Sequence, residues 1–373
     1  MVEHWSEKPG VESSILSLAI LLYAEVAQRQ SNRFVSDRLR VQVPSSAKFR
    51  CTMVLLLVLG LGAGRQASAA SGSNAFSFLR ISPDARASGL AEAVVADSQG
   101  SSVLFFNPGG LPLLQGYEIG AQHLAYVSNI SYDYAALTHA EGRHGWGFNM
   151  GYLSVGGLTR TVYDPTSTDR FDETGGVSAH DLLFSGGYGY RLTDSWSFGA
   201  VGKFFQETLD ATSANGAAFD FGSLYQINPR WMLGLAILNL GPTYQFAGAS
   251  AQLPWTGNAG IWNKRLSWLS LGGEVSKTID EPVNVRLGAE ITPISHVILR
   301  TGYMYRSESN DLGIFSNITF GAGLALGSLR IDYALESLGD FGLINRVSLA
   351  WRFTPSPGRF QKPETQRRLM NLP

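Results

Sequence analysis

The stretch that most constrains this chain lies near its end, Leu343-Ile-Asn-Arg-Val-Ser-Leu-Ala-Trp-Arg-Phe353. Val347, Leu349, Trp351 and Phe353 alternate there with Arg346, Ser348, Ala350 and Arg352. A period of two is the signature of a strand with one apolar and one strongly polar face. One such strand would suit a soluble sandwich, but the pattern recurs. Val283, Val285, Leu287, Ala289 and Ile291 alternate with Asn284, Arg286, Gly288 and Glu290, and Leu329, Ile331, Tyr333 and Leu335 alternate with Arg330, Asp332 and Glu336. A sheet of many such strands with little room for a core must close on itself and turn its apolar face to lipid.

The energetics assign the faces. An Arg or Lys on the lipid side of a barrel costs about 2–4 kcal/mol at the midplane. Several of these would equal a typical folding stability of about 5–15 kcal/mol. Arg286, Glu290, Arg300, Arg330, Asp332, Arg346 and Arg352 are therefore expected in the lumen, paired across neighbouring strands. A packed ionic lumen and a conducting one both satisfy this expectation.

Fourteen segments carry the pattern: 117–127, 130–140, 145–156, 180–192, 195–209, 214–227, 230–241, 255–263, 266–278, 282–292, 296–307, 314–326, 327–336 and 343–353. Each is long enough for a tilted crossing, which takes about 9–11 residues. Short turns and longer links mostly alternate between them. The long links at 157–179, 242–254, 308–313 and 337–342 all fall on one side, as in barrels with short periplasmic turns and long outer loops. The sequence thus predicts an all-β fold, a 14-stranded antiparallel transmembrane β-barrel in the bacterial outer membrane, with membrane lipid around it. In the longest link, Tyr163, Asp164 and Phe171 are candidates for an extracellular contact surface, set against an ordinary solvated loop. Trp146, Trp196, Trp231, Trp255, Trp262, Trp268 and Trp351 lie mostly near strand ends and read as interface anchors.

Composition excludes other classes. With 16% charged residues and 42 glycines, no run after residue 70 reaches the length of a transmembrane helix. A net charge of −1 gives no footprint for nucleic acid. His123, His139, His144, His180 and His296 lack metal-ligand spacing, and no phosphate-binding loop, dinucleotide fingerprint or nucleophile elbow occurs. Neither a metal, a cofactor nor catalysis is expected.

The ends read differently from the barrel. Lys48 and Arg50 precede an apolar run at 53–62 and Ala67-Ser68-Ala69, the layout of a signal peptide cleaved after Ala69. The single cysteine, Cys51, lies upstream of that site, so the mature chain is expected to hold no disulfide. Residues 1–43 read either as an artefact of a start codon placed too early or as an anchoring helix. The expected division is 1–69 extension plus signal peptide, 70–115 a plug or hatch, 116–353 the barrel, and 354–373 a periplasmic tail.

The segment before the barrel carries two motifs, G-L-A-E-A-V-V-A-D at 89–97 and F-N-P-G-G-L at 106–111. Asn-Pro followed by Gly-Gly marks a tight turn, because proline fixes φ and glycine admits positive φ. In this order, before a barrel, the motifs resemble the N-terminal signature of PorV/PorQ proteins, relatives of FadL-type outer-membrane transporters. Gly109 stands where the usual Asn-Pro-Ala-Gly has alanine. The resemblance spans about residues 74–353 and implies a plug or hatch at the periplasmic mouth. It assigns Gly89, Ala91, Ala93 and Asp97 to the hatch motif, and Asn107, Pro108, Gly109 and Gly110 to its turn. It implies a non-enzymatic binding partner or scaffold in protein export or surface attachment, as in type IX secretion, with secretion-system proteins or cargo domains as partners. The alternative it implies is a FadL-like channel for a hydrophobic small molecule. A continuous apolar pocket between the hatch and the wall would speak for the channel, and a sealed polar lumen for the partner.

Overall fold

The computed structural model describes residues 76–353, apart from 128, 164–170, 247–248, 280, 307–316 and 340–341. The expected signal peptide, Cys51, Asp164 and the tail 354–373 lie outside the described residues.

The chain closes a fourteen-stranded antiparallel barrel. Its wall consists of β1 (Gly116–Ala125), β2 (Ile130–Glu141), β3 (His144–Val155), β6 (Ala179–Arg191), β7 (Trp196–Leu209), β8 (Thr212–Asn228) and β9 (Trp231–Leu240). It continues through β12 (Thr256–Leu266), β13 (Leu269–Thr278), β14 (Val283–Ile294), β15 (Val297–Arg306), β16 (Ile318–Leu326), β17 (Leu329–Ser337) and β18 (Leu343–Phe353). First and last strands seal the cylinder, with Tyr117 opposite Phe353 and His123 opposite Val347. Closure leaves no edge strand, so every wall amide can be satisfied without water.

Each strand alternates as its sequence demands. Phe148, Phe184, Phe204, Phe221, Leu235, Leu287, Phe320 and Leu349 stand exposed on the outside. Among the described residues no helix is long and apolar enough to cross a membrane, and an outer face this apolar needs lipid around it. Closed, even-numbered antiparallel barrels with this exterior are of the bacterial outer-membrane type, and this chain is one. Both barrel termini and the short turns share the end that is periplasmic in such barrels. Gly142 and Gly327 make two of these turns possible, each at φ 62° in open space. An aromatic belt rings this end, with Tyr117 stacked on Phe353 at 5.4 Å and Trp196 against Phe198 at 5.0 Å.

Two of the long links hold more than loop. The link at 157–179 contains the hairpin β4 (Thr159–Tyr163) and β5 (Phe171–Gly176), in which Tyr163 opposes Phe171. The link at 242–254 contains β10 (Tyr244–Phe246) and β11 (Ala249–Ala251). The strand-forming alternation in both is too short to stand apart from turn residues in the sequence.

Residues 76–113 run inside the cylinder as short turns: η1 (Ser77–Arg80), α1 (Ala85–Ser88), α2 (Val103–Phe106) and η2 (Pro108–Leu113). Asp84 caps α1, accepting from the Arg86 amide at 3.0 Å and from the Ser102 hydroxyl at 2.7 Å.

Candidate functional site

The lumen and its plug form the site, and three contacts hold the plug in different ways. The first is close backbone approach. Wall glycines line up in register where the plug passes: Gly145, Gly189, Gly199 and Gly222 are successive partners across β3, β6, β7 and β8. Gly272, Gly288 and Gly302 do the same across β13, β14 and β15. A Cβ at Gly145 would strike the Leu111 carbonyl, one at Gly199 the Pro108 carbonyl, and one at Gly302 the Leu90–Ala91 peptide. These positions are bare because the plug backbone occupies the space.

The second is the Asn107 turn. The Asn107 carboxamide is fully buried and donates to Val95 O at 2.7 Å and Ser223 O at 3.1 Å, while its oxygen accepts from Gly109 N at 3.0 Å. Pro108 packs against Gly199 and Gly222, Gly109 lies over Ser223, and Gly110 rests on Val103. Gly89 faces Gly321, Ala91 donates its amide to Thr319 Oγ1 at 3.1 Å, and the Ala93 carbonyl lies on Gly272.

The third is ionic. Arg86, 2% exposed, binds Asp97 at 2.6 Å and Glu290 at 3.0 Å, with its guanidinium 5.7 Å from the Trp262 ring. Arg300 bridges Glu290 at 2.8 Å and Asp332 at 2.7 Å, and Arg330 joins Asp332 at 2.7 Å. Arg286 reaches Glu92 at 3.2 Å and Glu274 at 3.0 Å. Arg346 holds Glu336 at 3.2 Å and donates to the Ser88 hydroxyl. Arg352 sits apart from this network at the periplasmic rim. Its side chain is 46% exposed and pairs with Glu118 at 2.8 Å. Lumen charges anticipated as wall-to-wall pairs are thus partly wall-to-plug. Sequence reasoning missed Arg86, Glu92, Glu118, Glu274 and the buried Lys203–Asp220 pair at 2.7 Å. Strand parity would have found the four wall residues. Nothing local marks Arg86 among its small neighbours.

Trp262 is a correction. Read as an interface anchor, it is 2% exposed inside the lumen. In β12 it shares parity with the inward Thr256 and Asn258, and Gly272 opposite leaves room for its ring. The plug's extent is a second correction, since it was expected only at the periplasmic mouth. Phe76, Phe78 and Leu79 reach the extracellular half, where they fill an apolar chamber with Leu124, Tyr132, Leu153, Leu183 and Phe205. The Phe76 ring lies 4.6 Å from Phe205. At the other end, a cavity of about 560 Å³ opens between plug and wall beside Asp97, Arg191, Arg230, Trp231, Trp262 and Lys264. That volume is within the range of about 300–1,000 Å³ usual for ligand sites.

The sequence matches no family model and no curated protein. The fold does have counterparts among solved structures. The toluene transporter TbuX of Ralstonia pickettii shares 17% identity over 71% of this chain and 98% of its own, with a TM-score of 0.51. The monoaromatic hydrocarbon channel CymD shares 10% over 75% of this chain and 99% of its own, with a TM-score of 0.50. A FadL homologue of Pseudomonas aeruginosa shares 11% over 72% and 98%, with a TM-score of 0.46. At such identities what TbuX and CymD share with this chain is the fold. None of the three is a PorV or PorQ protein.

Proposed function

We propose that this barrel passes hydrophobic small molecules across the bacterial outer membrane. The observation that carries the reading is the extracellular chamber, in which Phe76, Phe78 and Leu79 of the plug pack against apolar side chains of the barrel wall. A molecule of the same chemistry can occupy that space once η1 withdraws, and burial of its apolar surface would favour entry. The hydrocarbon channels that share the fold support the same substrate class. The hatch motif around Gly89 and Asp97 and the Asn107–Gly110 turn then act as the part that must shift, and the periplasmic cavity receives what passes.

Full-length protein reconstituted in liposomes tests this with toluene. Flux should exceed that of protein-free vesicles and rise further in a Phe76→Ala/Phe78→Ala variant. Background flux in both would refute it.

One observation favours a second reading. The lower lumen is crossed by the ion pairs of Arg86, Arg286 and Arg300, as suits a barrel that binds partners instead of conducting. In that reading the chain is a PorV/PorQ-like scaffold for type IX secretion or surface attachment. Its contacts would be made by the outer loops, the 159–176 hairpin with Tyr163, Asp164 and Phe171 among them. Absent flux together with recovery of translocon components from detergent extracts would favour it.

A further inference from the structure

Buried polar groups stand among the apolar side chains of the extracellular chamber. Asp181 on β6 is 1% exposed, and neither of its carboxylate oxygens has a hydrogen-bond partner among the described residues. Two hydroxyls of the same chamber are equally unpartnered, those of Tyr132, fully buried, and Tyr134, 5% exposed. Register brings them together. Tyr132 opposes Leu153, and Leu153 opposes Asp181, all on the inner face at one level. The Tyr132 ring leans across Gly151, its hydroxyl at the point a Gly151 Cβ would fill, and so points along the wall toward β6. Glu207 stands directly opposite Asp181 on β7, with side chains of such partners about 4.5–5.5 Å apart at Cβ.

Buried polar groups are normally satisfied, and a cluster of unsatisfied ones among apolar side chains calls for an occupant that completes it. The rings of Phe76 and Phe78, which fill the chamber, can offer these groups nothing. The Asp181 carboxyl offers an acceptor oxygen to a ligand hydroxyl, and each tyrosine hydroxyl can donate to and accept from a ligand. Burial among apolar side chains also makes the spot hostile to a charged carboxylate, which would leave water without a cationic partner.

We propose that the chamber selects an aromatic ligand bearing a hydroxyl donor, a phenol in chemical class, which places its ring where Phe76 lies and donates its O–H to Asp181 with Tyr132 as the second contact. The proposal rests on the channel reading and narrows it. Plain hydrocarbons enter but are held less well, and aromatic carboxylates are rejected.

The test compares three molecules with one ring and one methyl group: p-cresol, toluene and 4-methylbenzoate. Binding to purified full-length protein in detergent is followed by calorimetry. The expected result is p-cresol at least tenfold tighter than toluene, with 4-methylbenzoate weaker than both. Asp181→Leu should erase the p-cresol advantage over toluene. Two milder variants guard against misfolding. Tyr132→Phe should lower the p-cresol advantage at least threefold, and Asp181→Asn, which keeps the shape and an acceptor oxygen, should retain part of it. Equal affinities for p-cresol and toluene in the wild type would overturn the donor preference and leave the channel standing. A p-cresol advantage unchanged in Asp181→Leu and Tyr132→Phe would overturn the assignment to Asp181. If toluene and p-cresol both fail to bind, the channel reading itself falls and this proposal with it.

Discussion

Removing the Arg86 side chain is the perturbation that most directly probes how the plug is held. Arg86 is 2% exposed and carries two ion pairs, to Asp97 on its own segment and to Glu290 on β14. In Arg86→Ala the two carboxylates fare differently. Glu290 keeps Arg300 at 2.8 Å. Among the described residues, Asp97 keeps only the amide of Ser98 at 2.9 Å and the distant Gln99 amide at 3.4 Å, in a site where it is 4% exposed. Breaking a buried pair by deleting one partner costs about 3–5 kcal/mol. Because one of the two acids remains paired, the lower end, about 3 kcal/mol, is the expected loss. Arg86→Lys keeps the charge but cannot reach both acids as a planar fork, and should lose less. The assay is urea unfolding in liposomes followed by tryptophan fluorescence, with planar-bilayer conductance as the second readout. The strands keep their hydrogen bonds, so the variant should still form a barrel. Its midpoint should fall, and openings should appear that the wild type lacks. Unfolding within about 1 kcal/mol of wild type and unchanged conductance would refute the idea that this arginine ties plug to wall.

Two further outcomes follow from the same geometry. Gly222→Val would place methyl groups where the Asn107 carboxamide and the Pro108 ring lie. Overpacking of this kind costs about 1–3 kcal/mol, and the plug, having only turns to hold it, should yield before the wall and raise conductance. Leu287→Arg would set a charge at an outward position that is 55% exposed mid-strand in β14. Folding into bilayers should weaken by about 2–4 kcal/mol, and an undiminished folding yield would argue that this face does not meet lipid.

Sidedness was legible because the pleat is local. Once Val347, Leu349 and Trp351 alternate with Arg346 and Ser348, no distant residue is needed to say which set is buried. Strand number followed for the same reason, from repetition of that pattern between turn residues. The two small hairpins escaped because strands of three to six residues leave too short a run to read.

The site was only half visible. Arg300 and Asp332 could be placed inside from parity, yet their partners could not be named, because Glu290 accepts from Arg86, 204 positions away. The glycines of 145, 189, 199 and 222 look scattered along the chain. Only strand register sets them in one row, and only the plug explains why the row is bare. Trp262 resembles any other strand-end tryptophan until β12 is paired with Gly272.

By itself, then, the order of residues determined a closed sheet with grease outside and charge within, since alternation every second position is a property of neighbouring residues. The tertiary structure decided how deep the plug reaches, which arginine fastens it, and that Asp181, Tyr132 and Tyr134 share one chamber. Those facts depend on register and on contacts across the lumen, which join residues far apart in the chain and leave no periodic trace along it.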